Sequence, residues 1–303
     1  MMSWIVLILS LIAMALGADW LVRGCTYLAR KIGVSEFILS MLIIGIGTTT
    51  PEIIISLISS ANGHGTLVVS NAIASNTIRI LGVLGLGALL HPIITNGHQR
   101  KIDIYFVFLA TIAMMWAISD GVVSKLDGFV LFSIFVAYAL VHWIKTAETP
   151  EEAHTENIHI MKIIVPLTAS IAALYFGSRY FMDALNQLTS VYDLDDTLAG
   201  IMIVAPGTSA PEILITIVAA TRRRGSIILG NILGSNLANI CLAVAASTMF
   251  APLPVSPHIL SIDIWVLIAA TTIFSWQMLH FRRLSRLTGI IYITLLVVYF
   301  LVI

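Results

Sequence analysis

Two glutamates lie inside long apolar stretches of this sequence, each within the same short pattern. The stretch GTTTPEIIIS begins at Gly47 and contains Glu52, and the stretch GTSAPEILIT begins at Gly207 and contains Glu212. An ionisable side chain at the centre of a bilayer costs about 2.5–3.5 kcal/mol on insertion scales, and such residues mark ion or proton pathways. The repeated pattern therefore predicts a function for both carboxylates inside a membrane.

A proline stands directly before each glutamate, at Pro51 and Pro211. Proline lacks a backbone N–H and disfavours the helical conformation in the residue that precedes it. We therefore expect each motif to interrupt its helix and join two half-helices, with backbone carbonyls freed near Gly45 and Ala205. Irregular backbone of this kind is tolerated in a membrane only where it is buried in protein or lines a cavity.

The groups predicted to surround the glutamates are all oxygen donors. They are the two carboxylates, the freed carbonyls and the hydroxyls of Thr48, Thr49, Thr208 and Ser209. Hard cations such as Ca²⁺ and Na⁺ take oxygen ligands. Histidine and cysteine, which Zn²⁺ and copper prefer, do not cluster with the motifs in the sequence. The donor set therefore predicts a site for a hard cation.

A polar stretch follows each motif, SNAIASNTIR at residues 70–79 and GNILGSNLAN at residues 230–239. Residues four apart share one face of a helix, so each stretch places three polar side chains on one face. These are Asn71, Ser75 and Arg79 in the first stretch, and Asn231, Ser235 and Asn239 in the second. We expect this face to form the other wall of the cation site.

The composition predicts an all-α polytopic membrane protein. Of 303 residues, 58% are hydrophobic and 11% are charged, whereas soluble domains carry about 25% charged residues. The net charge of zero gives no indication of a nucleic-acid partner. A spanning helix needs about 20 residues. Ten predicted spans fall near residues 3–21, 35–60, 65–90, 103–119, 127–145, 160–184, 195–220, 226–250, 260–280 and 287–303.

The basic residues predict an orientation for these spans. Thirteen of the 16 lysines and arginines fall on one side of the predicted membrane. Loops rich in lysine and arginine stay in the cytoplasm. We therefore expect a multi-pass protein of the cell membrane, with both chain termini on the extracellular or periplasmic side.

The chain also matches itself at an offset of 160 residues. Between residues 45 and 76, ten of 32 positions are identical to their mates. Each half holds five predicted spans, and an odd number inverts the second half relative to the first. The sequence therefore predicts two inverted-topology five-helix repeats, residues 1–147 and 160–303, with a cytoplasmic connector at 148–159. Transporters built in this way bind their substrate near the bilayer midplane, between the repeats.

With these paired motifs the sequence resembles the calcium/cation antiporter superfamily, most closely the prokaryotic sodium/calcium exchangers. The resemblance covers nearly the whole chain and rests on the doubled pattern G-T-[ST]-x-P-E followed by [GS]-N-x-[IL]-x-S-N. It implies a central cation site with Glu52 and Glu212 as main ligands, and spans 1 and 6 as gates that slide to give alternating access. The secondary ligands that it implies are Thr48, Thr49, Ser75, Thr208, Ser209 and Ser235.

Two residues depart from the exchanger pattern. Arg79 stands where the exchangers carry an amide, and Asn239 stands where they often carry an aspartate. Arg79 lies about 18–21 Å from either end of its predicted span, given the rise of a helix. Its guanidinium cannot reach water from there and must find an anion or a wet cavity inside the protein. We predict that it occupies part of the site between Glu52 and Glu212 as a tethered cation. Alternatively, it points away and pairs with carbonyls of another helix.

The favoured interpretation is a secondary antiporter that exchanges Ca²⁺ against Na⁺ or H⁺, with the transported cations as ligands and no cofactor. The positive charge of Arg79 changes the summed charge of the site from −2 to −1. A proton-coupled or monovalent-cation exchanger of altered stoichiometry is therefore the alternative. Three other classes are less favoured. A channel would not need repeat symmetry for two-sided gating, and a sensor would usually carry a soluble output domain. The sequence also gives no indication of an enzyme. Expected partners are inorganic cations and the lipid bilayer, and a single chain should suffice.

Overall fold

The computed structural model of the chain describes residues 2–32, 39–94, 100–148, 159–189, 201 and 205–302. The α-helices are α1 (Met2–Ile32), α2 (Ile46–Ala61), α3 (Gly65–Thr77), α4 (Leu84–Leu90), α5 (Arg100–Ile118), α6 (Lys125–Glu148), α7 (Met161–Thr189), α8 (Ala205–Thr208), α9 (Ala210–Thr221), α10 (Gly225–Ala238), α11 (Ala245–Ser247), α12 (Ile264–His280) and α13 (Arg286–Val302). Wider π-helical segments occupy Ser40–Gly45, Ile78–Val83, Asn239–Val244 and Ile259–Asp263. The two-residue strands are β1 (Ile93–Ile94), β2 (Val122–Val123), β3 (Leu253–Pro254) and β4 (Arg283–Leu284).

The fold is that of an all-helical membrane protein. Among the described residues, six helices are long and apolar enough to cross a bilayer. These are Trp4–Ile32, Gly65–Leu90, Lys101–Ile118, Met161–Phe181, Gly225–Ser247 and Ile259–His280, and shorter apolar helices span Ala210–Thr221 and Arg286–Val302. Large apolar side chains such as Trp4 and Phe129 are exposed, whereas Glu52 and Arg79 are fully buried. Apolar residues outside and charged residues inside indicate that lipid covers the outer surface.

Several predicted spans coincide with helices of the structure. The spans predicted at 65–90, 103–119 and 260–280 agree with helical segments to within about three residues, which is usual for boundaries predicted from sequence. The predicted spans at 35–60 and 195–220 begin in residues outside the described part of the chain, and most of the predicted connector at 148–159 also lies outside it.

Contacts between the two halves of the chain involve residues related by an offset of 160. Strand β1 pairs antiparallel with β4, and β2 pairs antiparallel with β3. Strand β3 begins 160 residues after β1, and β4 begins 161 residues after β2, so each small sheet pairs a strand of one half with the counterpart of the other strand from the second half. The hydroxyls of Thr111 and Thr271, also 160 residues apart, lie 3.5 Å from each other. Contacts of this kind are expected where two halves are related by an approximate twofold axis.

The first proline motif does not break its helix, so the prediction of two half-helices is wrong there. Pro51 lies inside α2, which directly follows the π-helical segment Ser40–Gly45. Local π geometry and threonine hydroxyls can satisfy backbone groups near a proline in a membrane helix. The hydroxyls of Thr49 and Thr50 donate to the carbonyls of Gly45 and Ile46 at 2.7 and 3.1 Å.

The second motif interrupts its helix at a single residue. Helix α8 ends at Thr208, Ser209 has φ −81° and ψ −2°, and α9 begins at Ala210. Pro211 therefore lies in the first turn of α9, where N–H groups have no partner within the helix and a missing one costs little. Glu212 lies in the same turn, where the positive end of the helix dipole stabilises a carboxylate.

Helices α1 and α7, which contain predicted spans 1 and 6, pack closely against each other. A methyl group placed on Gly17 of α1 would lie 3.0 Å from the side chain of Ala173 and 3.2 Å from the Ser170 carbonyl. A methyl group on Gly24 would overlap the side chain of Leu167. Small residues of this kind let membrane helices approach closely.

Candidate cation site

One arginine joins the two buried glutamates. The Nη2 atom of Arg79 donates to Oε1 of Glu52 and to Oε1 of Glu212, the latter at 3.0 Å. Its Nη1 atom donates to the backbone carbonyl of Ser235 at 3.4 Å. The side chains of all three charged residues are 0% exposed. The carboxylates of two motifs that stand 160 residues apart in sequence therefore meet at one guanidinium nitrogen.

The three charged residues come from three different helical segments. Glu52 lies in α2, directly after Pro51, and Glu212 lies in the first turn of α9. Arg79 is the second residue of the π-helical segment Ile78–Val83. A π-helical turn is rare and occurs frequently at functional sites. The π-helical segment that carries Arg79 and the helix interruption before Glu212 therefore both lie where the charges meet.

The charged cluster is not electrically neutral when both carboxylates are ionised. Two glutamates and one arginine sum to −2 + 1 = −1, and an arginine does not lose its proton in proteins. Charges removed from water are tolerated where they pair and where their remaining hydrogen-bonding positions are satisfied. Arg79 provides the pairing, and a further positive charge would complete the balance. The alternative prediction, in which Arg79 points away from the glutamates, is wrong.

The hydroxyls of the first motif surround the Gly45 carbonyl. Thr49 Oγ1 donates to this carbonyl at 2.7 Å and Thr48 Oγ1 donates to it at 3.3 Å. The Gly45 carbonyl, which we expected to be free, therefore has hydrogen-bond donors. Thr48 Oγ1 also lies 3.5 Å from Oδ1 of Asn231, which connects the first motif to the second polar stretch. Hydroxyl oxygens that donate in this way keep lone pairs that a cation can use.

The second motif has a similar arrangement. The Ala205 carbonyl accepts from Thr208 Oγ1 at 3.3 Å and from the backbone N–H of Ser209 at 3.1 Å. It too is therefore not free, contrary to the prediction. The hydroxyl of Ser209 is buried and has no hydrogen-bond partner among the described residues.

The predicted wall contributes both satisfied and unsatisfied groups. Ser75 Oγ donates to Oδ1 of Asn71 at 3.1 Å, and Ser235 Oγ donates to the Ile232 carbonyl at 3.2 Å. Ser235 thus contacts Arg79 through its backbone carbonyl, whereas the prediction assigned its hydroxyl to the site. Both amide atoms of Asn239 are buried without a hydrogen-bond partner in the described part of the chain.

Unsatisfied polar atoms are concentrated in the two motifs and the two polar stretches. Within the described residues, the buried atoms without a hydrogen-bond partner include Oε2 of Glu52, Oε2 of Glu212, Nε of Arg79, Oγ of Ser209, Oγ1 of Thr216, Nδ2 of Asn71 and Asn231, and both amide atoms of Asn76, Asn236 and Asn239. Folded proteins leave few buried polar atoms unpaired, and those that remain need an ion, a water or a functional reason. The oxygens among them suit a hard cation.

Two buried hydroxyl residues beside the glutamates were not predicted from the sequence. Ser56 and Thr216 lie one helical turn after Glu52 and Glu212, respectively, and both are buried. Their spacing of four residues places them on the same helix face as the glutamates. That spacing, together with the offset of 160, is the signal that could have identified them.

The side chain of Pro51 lies outside the described part of the structure.

A cavity of about 140 Å³ adjoins the motifs. Its lining includes Thr48 and Pro211 from the two motifs, Leu21 from α1, and Ile171 and Tyr175 from α7. The cavity therefore lies where the helices that contain predicted spans 1 and 6 meet the motif residues.

Comparison with known proteins gives matches along nearly the whole chain. The family model described as sodium/calcium exchanger protein matches residues 2–144 and 162–303. An uncharacterized membrane protein of Methanocaldococcus jannaschii is 31% identical over 96% of this chain and 94% of its own length. The sodium/calcium exchanger MaX1 of Methanosarcina acetivorans is 28% identical over 98% of both chains. A solved structure of the sodium-calcium exchanger NCX_Mj, soaked with Na⁺ and Sr²⁺, has a TM-score of 0.84 at 29% identity and covers 98% of this chain and 97% of its own.

Proposed function

Because this chain belongs to the sodium/calcium exchanger family, we propose that it is a secondary antiporter in which Glu52 and Glu212 are the main ligands of the transported cation. The chain is a transporter rather than an enzyme, and the cations are its cargo rather than cofactors. The observation that carries the proposal is the meeting of two fully buried carboxylates, from motifs 160 residues apart, at one point. The first assignment is exchange of Ca²⁺ against Na⁺ or H⁺.

The architecture we propose is ten spans in two inverted five-helix repeats, residues 1–147 and 160–303, with a connector at 148–159. The exchange of partners between the two small sheets and the contact of Thr111 with Thr271 support this arrangement. An odd number of spans in each repeat places the two motifs in opposite senses across the midplane, which is where transporters with inverted repeats bind their substrate.

We propose alternating access by sliding of α1 and α7 past the motif helices. The cavity beside Thr48 and Pro211 lies between the two groups of helices, which supports this route. At the partly exposed end of this helix contact, Asp19 of α1 pairs with Arg222, which directly follows α9, and the Asp19 side chain is 25% exposed. Exposed ion pairs contribute about 0–1 kcal/mol, so this link between the moving and static helices can break at little cost.

The membrane placement we propose is the cell membrane, with both termini extracellular or periplasmic. Among the described residues, the basic pair Arg30 and Lys31 ends α1, and Arg222, Arg223 and Arg224 follow α9. Arg30 lines one cavity together with Arg222 and Arg224, which supports a location of these two basic groups on the same side. Loops rich in arginine and lysine stay in the cytoplasm, which supports the orientation.

A second candidate function is favoured by the contacts of Arg79. The guanidinium donates to both carboxylates. It therefore takes coordination positions that a transported ion would otherwise use. With a charge sum of −1, a monovalent-cation or proton-coupled exchanger of altered stoichiometry fits this site better than one that carries Ca²⁺ against several Na⁺.

Flux through reconstituted protein tests the proposed function. Purified protein in liposomes is expected to move ⁴⁵Ca²⁺ or ²²Na⁺ in response to a gradient of Na⁺ or H⁺, each gradient being imposed separately. Protein-free liposomes serve as the control. Movement of ⁴⁵Ca²⁺ supports the first candidate, and movement of ²²Na⁺ without ⁴⁵Ca²⁺ supports the second. If neither tracer responds to either gradient, the proposed function is wrong.

A further inference from the structure

We propose that Arg79 acts as a permanent second cation of this site, and that the remaining oxygens of Glu52 and Glu212 bind one monovalent cation of the Na⁺ class and exclude Ca²⁺. This inference rests on the proposed antiporter, selects the monovalent of its two candidate cargoes, and specifies the atoms that hold it. The geometry that carries it is the use of one oxygen of each carboxylate by Arg79, while the other oxygen of each is buried and unpaired.

Arg79 uses one oxygen of each carboxylate. Both hydrogen bonds from Arg79 Nη2 end on Oε1 atoms, one from each glutamate. The two Oε2 atoms have no hydrogen-bond partner among the described residues, although both side chains are 0% exposed. Unpaired buried oxygens with a negative charge attract a cation, and a carboxylate can accept on both of its oxygens. Arg79 therefore leaves one oxygen of each carboxylate open to a second cation.

Two further buried oxygens lie in the motif and the polar stretch that carry the site. Ser209 stands three residues before Glu212, and its buried hydroxyl is also unpaired within the described structure. Asn239, four residues after Ser235, has a buried amide oxygen without a partner in the same part of the chain. Na⁺ and similar hard ions take oxygen ligands from carboxylates, hydroxyls and amides alike.

The summed charge of the cluster limits the charge of the cation that it can bind. With both carboxylates ionised and Arg79 in place, the cluster carries −1, so a monovalent cation brings the sum to zero and a divalent cation brings it to +1. An unbalanced charge is strongly disfavoured in the protein interior, where the effective dielectric constant is low. Arg79 cannot relieve the imbalance by losing its proton. The site is therefore selective for charge because of a residue that never leaves it.

Removal of the guanidinium is expected to change the ion that the protein carries. Wild-type protein in liposomes should exchange ²²Na⁺ and take up no more ⁴⁵Ca²⁺ than protein-free liposomes. In Arg79→Asn the charge sum becomes −2, and we expect ⁴⁵Ca²⁺ uptake at least tenfold above wild type. Arg286→Asn makes the same chemical change at an exposed arginine and should keep the wild-type preference.

A second measurement on the wild-type protein covers the case in which Arg79→Asn does not fold. A ligand that binds the folded state raises the melting temperature. Na⁺ at constant ionic strength should therefore raise it in detergent, whereas Ca²⁺ should not. Na⁺-driven ⁴⁵Ca²⁺ uptake by wild-type protein would overturn this inference and leave the proposed antiporter intact. Absence of any ²²Na⁺ or ⁴⁵Ca²⁺ movement would overturn both.

Discussion

Glu52→Gln and Glu212→Gln are each expected to lower the initial rate of cation exchange by about 100-fold or more. Truncating one partner of a buried, hydrogen-bonded charge pair costs about 2–5 kcal/mol of binding free energy, and about 1.4 kcal/mol corresponds to each factor of ten in affinity. The charge balance gives the physical reason. With one glutamate replaced, the other glutamate and Arg79 sum to zero, and no negative charge remains to attract a cation.

The measurement is tracer exchange in liposomes, with the melting temperature of each variant recorded in detergent. The melting temperature separates loss of the ion site from loss of the fold. Asp120→Asn is the control, because Asp120 is exposed and accepts from the Val122 N–H through an oxygen that asparagine retains. It should exchange cations at the wild-type rate. Folded glutamine variants that exchange cations as fast as wild type would show that the carboxylates do not bind the cargo.

Gly234→Val is expected to destabilise the protein by about 3 kcal/mol or more, at the upper end of the range for overpacked cores. A Cβ atom on Gly234 would overlap the Met41 carbonyl oxygen. A Cβ atom on Gly45 would lie 2.9 Å from backbone atoms of Gly234 and Ser235. Backbone on both sides of the contact cannot rotate away as a side chain can. A larger residue must therefore separate the π-helical segment Ser40–Gly45 from α10, which carries Ser235.

Thermal unfolding in detergent measures this effect, and the chain offers a matched control at another glycine. A Cβ atom on Gly47 would have no neighbour within 4 Å. Because Gly47 lies inside α2, Gly47→Ala should be neutral or stabilise the helix by about 0.5–1 kcal/mol. A wild-type melting temperature for Gly234→Val would contradict the close packing of α10 on the π-helical segment.

The helices and the position of the charges could be predicted from the sequence because two simple physical signals specify them. Long apolar segments must form helices in lipid, since their backbone groups have no other partners there. A permanent charge far from either membrane surface must find an anion or a wet cavity, and on this ground Arg79 was predicted beside Glu52 and Glu212, with carbonyls of another helix as the alternative. Neither argument needs knowledge of how the helices pack.

Features that depend on packing could not be predicted in the same way. Pro51 indicated a broken helix, yet α2 continues through it because neighbouring threonine hydroxyls and a preceding π-helical segment accommodate the motif. The same carbonyls that we expected to be free accept these hydroxyls. Propensity describes one residue in its own segment, whereas hydrogen-bond satisfaction depends on groups that the fold brings together.

The most direct test of the account is an experimental structure of wild-type protein soaked separately with Tl⁺ and Sr²⁺, which anomalous scattering locates. We expect a single Tl⁺ peak beside Oε2 of Glu52 and Oε2 of Glu212, with the Arg79 guanidinium still on the two Oε1 atoms, and no Sr²⁺ peak there. A Sr²⁺ ion between the carboxylates with Arg79 displaced, or two carboxylates far apart with no ion between them, would contradict the account.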